Sequence, residues 1–368
     1  MKPQAKRERY DMPPAEPSTS QPIDPERSRY SRQILFEKIG VAGQRRLKDA
    51  RVVLIGCGAL GTVLAETLVR AGVGHTRICD RDFIEYNNLQ RQVLFDESDV
   101  AANLPKAQAA AKRLARINSD VTVEAEVVDV NHMNIEHLSD GADLILDGTD
   151  NFETRFLIND LAVATNRPWI YGAAVGATGL CMTIIPNDTP CLRCVFENAP
   201  PPEMNPTCDT TGVLAMTTNL VASLQAVEAL KLLVGRASEI NRRLIHVDAW
   251  SGRFVGLNVQ PTYDDGDCPC CKRREFPYLS GERASTTTTL CGRDAVQINV
   301  QGGQTVDLAL IAQKLKLVAT NPVRQNAYLL KADLDGCELT LFADGRAIVQ
   351  GTSNPDKARS LYAKYLGT

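Results

Sequence analysis

Apolar and polar residues repeat along residues 50–175 with two periods, one typical of buried strands and one typical of amphipathic helices. Residues 50–56 form a continuous β-branched run that ends in glycine, which predicts a buried parallel strand. A helix pattern follows at 59–72. Further strand patterns cover 75–82, 121–130, 142–150 and 168–175, and further helix patterns cover 105–118 and 151–166. Strands that alternate with helices predict an α/β protein with a doubly wound, Rossmann-like sheet.

The flanking segments differ from this pattern in composition. Residues 1–26 contain six prolines and mixed charge, which predicts a disordered tail. Residues 27–280 form the main predicted domain, which begins with two short helices and carries a cysteine- and proline-bearing extension beyond residue 180. The remaining predicted segments are a long helix at 212–234, strands at 243–250 and 253–259, a polar linker at 281–290, and a small α+β domain of β-α-β-β-β-α order at 291–368.

Charge and hydropathy exclude several classes of protein. The chain has 368 residues, with 41 basic and 44 acidic side chains, and its formal net charge is −3. This balance gives no electrostatic basis for binding nucleic acid or an anionic membrane surface. No apolar run approaches the ~18 residues needed to span a bilayer, and residues 1–20 contain no apolar segment typical of an export signal. We therefore expect a soluble cytoplasmic protein.

The 11 cysteines are the unusual part of the composition, because an odd number without an export signal argues against a disulfide framework. Two pairs have the Cys-x-x-Cys spacing of zinc knuckles, Cys191 with Cys194 and Cys268 with Cys271. Four such thiolates make a tetrahedral cage for Zn²⁺, and the 73 residues between the pairs make the site a clasp between distant segments. Cys270 lies inside the second pair and competes as a ligand. Unliganded core cysteines and a redox pair are the alternatives.

A glycine-rich turn joins the first predicted strand to its helix. Gly56, Gly58 and Gly61 have the spacing that permits a tight turn, close approach of a phosphate, and packing of the helix on the strand. The helix N-terminus offers amide donors to that phosphate. Asp80 follows Gly61 by 19 residues and ends the second strand, where its carboxylate can accept hydrogen bonds from ribose hydroxyls. The pattern predicts a nucleotide site, and a ligand-free turn is the alternative.

Charged side chains follow several of the predicted strands. Residues 80–92 combine acids and amides with Arg91, Lys106 begins the next helix, and residues 147–151 end a strand with two carboxylates. The carboxyl ends of parallel strands lie at one edge of a sheet, where ligands bind. Arg91 and Lys106 can neutralise phosphate oxygens and Asp150 can hold Mg²⁺. These residues favour a site for a nucleoside triphosphate over the site of a hydride-transferring dehydrogenase. A solvated charged loop is the alternative.

Cys208 comes shortly before the long predicted helix. A helix N-terminus favours the thiolate form of a nearby cysteine, which makes Cys208 a candidate nucleophile. An ordinary loop cysteine fits the same position.

These motifs occur together and in order: YSRQ (30–33), GCGALG (56–61), DRDFIEYNNLQRQ (80–92), Lys106, DGTDN (147–151), CLRC, CDTTGVL and CPCC. Over about residues 27–280 the chain resembles the ubiquitin-activating-like adenylyltransferases of sulfur-carrier pathways, the ThiF and MoeB proteins of thiamine and molybdopterin biosynthesis. The resemblance implies ATP-dependent activation of a small β-grasp sulfur-carrier protein that ends in Gly-Gly. The carrier's C-terminal carboxylate attacks the α-phosphate, pyrophosphate leaves, and the acyl-adenylate is ready for sulfur from a donor protein.

The resemblance also implies roles for individual residues. Arg32 matches an arginine that the family supplies across a homodimer interface, and Cys208 matches a position that in some members bonds to the carrier or receives sulfur. The paired cysteines match structural zinc ligands. The implied nucleotide contacts are Gly56, Gly58 and Gly61 along the nucleotide, Asp80 at the ribose, Asn88, Arg91 and Lys106 at the phosphates, Asp82 and Gln92 in the same loops, and Asp150 at Mg²⁺.

The C-terminal domain departs from some relatives, which carry a rhodanese domain there. The tail of this chain is too short for one, and neither Cys291 nor Cys337 lies in a rhodanese-like active loop, so we expect a role in carrier docking or dimer support. Three other functions remain open: a tRNA-directed dehydratase of the same superfamily, an NAD-dependent oxidoreductase and a non-enzymatic scaffold. The missing basic surface and the zinc clasp disfavour the dehydratase, and the charged loops disfavour the other two.

Overall fold

The computed structural model describes residues 29–198, 211–283, 287–290, 294–298 and 306–366. Within them the chain divides into two compact units. The first holds the described residues up to 283, except Thr211 and Gly212, and the second holds those from 287 onwards. The predicted tail at 1–26 and Cys208 lie outside the described residues.

An eight-stranded sheet forms the centre of the first unit. Its strands are β1 (Arg51–Ile55), β2 (His75–Cys79), β3 (Thr122–Glu126), β4 (Leu144–Asp147), β5 (Trp169–Val175), β6 (Thr178–Ile184), β7 (Leu244–Asp248) and β8 (Arg253–Leu257). The spatial order is β3-β2-β1-β4-β5-β6-β7-β8, with parallel pairing from β3 to β5 and antiparallel pairing from β5 to β8. The predicted Rossmann-like α/β fold is confirmed, and the carboxyl ends of β1, β2 and β4 meet at one edge.

Helices cover both faces of this sheet. They are α1 (Ser31–Ile34), α2 (Gly40–Asp49), α3 (Ala59–Ala71), α4 (Glu97–Ala101), α5 (Lys106–Ile117), α6 (Ile135–Leu138), α7 (Phe152–Thr165), α8 (Leu192–Val195), α9 (Ala215–Leu233) and α10 (Gln260–Asp264), with 3-10 turns at Tyr86–Asn88 and Ala237–Glu239. The apolar sides of α3, α5 and α9 pack in one core cluster, and those of α6, α7 and α8 pack in a second. Because β1 and β4 contribute to both clusters, their residues are buried on both sides, which explains their continuous apolar sequence.

Strand β6 was not predicted from the sequence. It runs antiparallel to β5 after a turn in which Gly176 has a φ of 59°. The prediction placed the end of the sheet pattern near residue 180 because the cysteines and prolines that follow resemble a loop. Among the described residues, α4, α6, α8 and α10 are further short helices that the periodicity did not indicate.

The second unit contains a six-stranded antiparallel sheet with two helices. Its elements are β9 (Thr287–Leu290), β10 (Ala295–Ile298), α11 (Leu308–Leu315), β11 (Arg324–Gln325), β12 (Leu329–Leu334), β13 (Cys337–Phe342), β14 (Ala347–Gln350) and α12 (Pro355–Leu366). The strand order is β11-β12-β13-β14-β10-β9. Asp335 and Gly336 both have positive φ and form the two-residue hairpin turn that their sequence indicates. Strand β9 lies within the segment predicted as a linker.

No helix in the described part of the chain combines the length and the apolar character that crossing a membrane requires.

Candidate active site and cysteine cluster

The glycine-rich turn between β1 and α3 is built by close backbone contacts. Gly56 has a φ of 89°, and a Cβ there would lie 2.7 Å from the Gly148 carbonyl. A Cβ on Gly61 would lie 2.1 Å from the Gly56 oxygen. At Gly58, in contrast, the nearest atom to such a Cβ is Nε2 of Gln92 at 3.9 Å. Gly56 and Gly61 are therefore required by packing, whereas Gly58 leaves room for a ligand phosphate.

Asp80 ties the end of β2 to this turn. Its Oδ2 accepts a hydrogen bond from the Cys57 amide at 2.6 Å, and its Oδ1 accepts one from the Asp82 amide at 2.7 Å. Burial raises the pKa of Asp80, while the positive charge of Lys106 and the two amides oppose that rise. The carboxylate holds the turn in place, and each oxygen keeps a second lone pair for a ribose hydroxyl.

Lys106 begins α5 and is 4% exposed. Its Nζ donates to Oδ2 of Asp82 at 3.1 Å, and its backbone amide donates to the Asp82 carbonyl at 2.9 Å. The two contacts fix both ends of the lysine against the loop that follows β2. A buried ammonium held in this way is a positioned counter-charge for a phosphate.

The loop after β2 carries three more predicted nucleotide residues. Asn88 is buried, and its Oδ1 accepts from the Glu85 amide at 3.0 Å. Arg91 is half-buried and donates from Nη1 to the Asn87 carbonyl at 2.6 Å. Gln92 is 3% exposed, and its Oε1 has no hydrogen-bond partner in the described structure. An orphaned buried oxygen costs about 1–3 kcal/mol, so the site favours a ligand that brings a donor to Gln92.

A buried ion pair between Asp147 and Arg155 organises the loop after β4. Arg155 Nε donates to Asp147 Oδ2 at 3.1 Å, and its Nη2 donates to the carbonyls of Thr149 and Gly172. Asp147 Oδ1 also accepts from the amide and hydroxyl of Thr149. Burial raises the pKa of Asp147, and the charge of Arg155 opposes that rise. Sequence reasoning missed Arg155, although its position eight residues after a strand-end aspartate was available as a signal.

Asp150 lies at the exposed end of this loop, immediately before the start of α7. Burial lowers the pKa of Arg81, but its acidic neighbours, Asp129 first and Asp150 among them, raise it above the ordinary value overall. Asp150 acts in the same direction on Arg155. Its carboxylate is exposed, and an exposed carboxylate can hold a divalent ion that bridges to phosphate.

The other two predicted catalytic residues are Arg32 and Cys208. Arg32 is exposed on α1. Cys208 is outside the described residues, so its role stays a prediction.

The four paired cysteines lie together although 77 positions separate Cys191 from Cys268. All four Sγ atoms lie within 4.8 Å of one another, and none is in a disulfide. The Sγ–Sγ distances are 3.6 Å for Cys191–Cys268, 3.8 Å for Cys191–Cys194 and 3.4 Å for Cys194–Cys271. A tetrahedron with Zn–S bonds of about 2.3 Å has edges of about 3.8 Å, so the thiols fit that ion.

Cys270 is not one of this group of four, although its thiol also interacts with that of Cys191. It is completely buried, and its Sγ lies 3.2 Å from Nδ2 of Asn159 and 3.5 Å from Oδ1 of Asp160. Both partners lie on α7, which the sequence pattern did not connect with the cysteines. The four thiols of the two Cys-x-x-Cys pairs are therefore the group that could hold one ion.

Comparisons with known proteins identify relatives of this chain. A model of the ThiF family matches residues 30–270. The sulfur carrier protein ThiS adenylyltransferase of Bacillus subtilis is 44% identical over 339 residues, which cover 92% of this chain and 99% of that protein. The sulfur carrier protein adenylyltransferase of Thermus thermophilus is 39% identical over 67% of this chain and 91% of that protein. The structure of E. coli MccB with AMPCPP and selenomethionine MccA aligns with a TM-score of 0.56 and 26% identity, over 67% of this chain and 73% of that one.

We predict that Arg155→Met lowers the free energy of unfolding by about 3–5 kcal/mol, because it leaves the Asp147 carboxylate buried without its counter-charge. The measurement is urea denaturation followed by circular dichroism. Arg70→Met is the matched control, since Arg70 pairs with Glu66 on the exposed side of α3 and should cost about 0–1 kcal/mol. Equal losses in the two variants would contradict an organising role for the buried pair.

Proposed function

The chain belongs to the ThiF family, and we propose that it adenylates the C-terminal Gly-Gly carboxylate of a small β-grasp sulfur-carrier protein, consuming ATP and releasing pyrophosphate. Two relatives support this substrate class, because both are named as adenylyltransferases of sulfur carriers and one of them matches 92% of the chain. The relative named for ThiS favours a carrier of thiamine biosynthesis over one of molybdopterin biosynthesis. We place the reaction in the cytoplasm.

The observation that carries the proposal is the open space beside Gly58, which the buried amide of Gln92 borders. Asp80 holds the backbone of that turn, and Lys106 is fixed in the adjoining loop. This arrangement is suited to a nucleotide whose phosphates lie on the turn and whose ribose lies at Asp80. MccB, a related fold, is captured with AMPCPP, which supports the same class of ligand.

The reaction needs alignment and neutralisation of charge more than proton transfer. A carboxylate oxygen of the carrier forms a bond to the α-phosphorus, while the bond from that phosphorus to the bridging oxygen breaks and pyrophosphate takes the electron pair. The attacking carboxylate is already ionised at neutral pH, so no protein base is required. Arg91 and Lys106 stabilise the charge on the phosphates. Mg²⁺ held by the exposed carboxylate of Asp150 would supply further neutralisation.

The four-cysteine cluster fits Zn²⁺ in a structural role. Its thiols fill all four positions of a tetrahedral site, so no position stays open for substrate. The ion would join the segment after β6 to the segment after β8, with Cys191 and Cys194 in the first and Cys268 and Cys271 in the second.

We further propose that the enzyme acts as a homodimer in which Arg32 of one protomer completes the nucleotide site of the other. Arg32 is exposed on α1, and its neighbour Gln33 donates to the Ala71 carbonyl at the end of α3 that is opposite the glycine-rich turn, which supports this arrangement. A sulfur-donating protein would then convert the acyl-adenylate, with Cys208 as the candidate residue for carrier or sulfur transfer.

Asp150→Ala should abolish ATP–pyrophosphate exchange in the presence of the carrier, because the variant loses the carboxylate that holds Mg²⁺ on the phosphates. Exchange of labelled pyrophosphate into ATP is the measurement. The control is Asp140→Ala, which removes an exposed carboxylate next to Gly141 and away from the site. Exchange at the wild-type rate in the Asp150 variant would refute the assignment.

Mixing two inactive variants tests the shared site. Arg32→Ala and Asp150→Ala should each be inactive, but a randomised mixture should recover about a quarter of wild-type exchange. About half of the dimers then contain one chain of each variant, and one of the two sites in each such dimer has both residues intact. Each variant mixed with itself is the control. No recovery after subunit exchange, verified by differently tagged chains, would contradict a site completed by the partner.

The purified chain should contain about one zinc ion, measured by elemental mass spectrometry. Cys191→Ala should lose it, because three thiolates leave the tetrahedron incomplete, whereas Cys181→Ala should retain it. Cys181 is also a buried cysteine but lies outside the cluster, which makes it a matched control. Zinc retained at the wild-type level in the Cys191 variant would contradict the assigned ligand set.

A further inference from the structure

Helix α7 contacts the loop after β4 and both Cys-x-x-Cys motifs through residues about one turn apart. Arg155, near its start, binds Asp147 and Thr149 of the loop after β4. Asn159 lies four residues later, about 6 Å along the helix axis and on the same side. The two sites are therefore attached to one short stretch of backbone.

The Asn159 side chain bonds to one residue inside each Cys-x-x-Cys motif. Its Oδ1 accepts a hydrogen bond from the Leu192 amide at 2.7 Å, between Cys191 and Cys194. Its Nδ2 donates to Cys270 Sγ at 3.2 Å, between Cys268 and Cys271. Asn159 is completely buried, so these bonds replace water for a group that would otherwise be costly to bury.

Asp160 supports the same attachment. Its Oδ2 accepts from the Tyr278 amide at 3.0 Å, and its Oδ1 lies 3.5 Å from Cys270 Sγ. The Tyr278 ring stacks on Phe156 of α7, with ring centroids 5.1 Å apart. The segment that carries the second cysteine pair is thus fastened to α7 by two polar contacts and one aromatic contact.

The connecting part of α7 has no exposed side. Every residue from 155 to 163 is buried between the sheet and the cysteine-bearing segments. Close-packed interiors have few voids that absorb a displacement, so a shift of Asn159 moves Arg155 as well.

We propose that Asn159 is a positioning residue that couples occupancy of the metal site to order in the nucleotide loop. Zn²⁺ would fix the two cysteine pairs relative to each other, Asn159 holds both pairs against α7, and Arg155 holds Asp147 and Thr149. The metal therefore strengthens nucleotide binding, and by linkage the nucleotide strengthens metal binding to the same extent. Only the nucleotide part of this inference rests on the proposed function.

The first experiment measures zinc affinity of the full-length protein by competition with a chromogenic chelator, with and without saturating ATP–Mg²⁺. We expect ATP–Mg²⁺ to raise zinc affinity in the wild type. Asn159→Ala should lower zinc affinity about 10–100-fold and abolish the effect of ATP–Mg²⁺. Thr165→Ala is the matched control, because Thr165 is exposed at the end of α7, and it should behave as the wild type.

The second experiment needs no nucleotide. Hydrogen exchange is measured at the amides of Thr149 and Gly172, which donate to Asp147, before and after chelation of zinc from folded protein. We expect faster exchange after chelation in the wild type.

Should Asn159→Ala fail to fold, Cys270→Ala replaces it in the zinc-affinity experiment, because it removes one of the two bonds of Asn159 and keeps all four ligands. It should lower zinc affinity and reduce the effect of ATP–Mg²⁺.

Unchanged exchange at Thr149 and Gly172 on chelation would overturn the coupling. So would an Asn159 variant that binds zinc more weakly yet keeps the full effect of ATP–Mg²⁺. A wild-type chain that binds no ATP would refute the proposed function instead, and the exchange experiment would then decide the coupling alone.

Discussion

The buried contact between Asp147 and Arg155 is the interaction on which the site depends. The carboxylate ends β4, the guanidinium comes from α7, and both reach Gly172 on β5, so three elements meet at one pair of charges. From α9, Gln225 adds a hydrogen bond to the Asp147 carbonyl. Such a pair is tolerated away from water only because nearly every donor and acceptor is satisfied, and that requirement fixes the position of the loop that carries Asp150.

Backbone contact between two loops is the second constraint. The Gly56 and Gly148 backbones approach so closely that neither position has room for a Cβ. The glycine-rich turn after β1 and the acidic loop after β4 are therefore in direct contact. Asp80 also accepts a hydrogen bond from the amide of Cys57, which follows Gly56 in that turn. These contacts within the chain hold the two loops of the candidate nucleotide site in place, and such order reduces the chain freedom that is lost on binding.

The sequence predicts the parts of the candidate site that depend on local pattern. The glycine-rich turn and the two Cys-x-x-Cys pairs have spacings that reflect one turn of backbone, and Asp80 stands at the end of a recognisable strand pattern. The sequence did not predict the role of Arg155, because a helix pattern does not show whether an arginine faces solvent or a neighbouring strand. Strand β5 lies beside Arg155 only in the folded sheet. Asn159 was missed for the same reason, since its partners at Leu192 and Cys270 lie 33 and 111 positions away. Strand β6 was missed because its pairing with β5 follows from a turn and not from alternation.

The long separation between the two cysteine pairs has a consequence for the unfolded chain. A metal ion that joins Cys191 to Cys268 closes a loop of 77 positions, which includes α9, β7 and β8. In a polymer, closing a loop of this size removes conformational entropy that corresponds to about 4–5 kcal/mol, by analogy with a covalent cross-link. Such an ion would restrict the unfolded chain as well as the fold, because it would narrow the volume that the residues between the two pairs can explore.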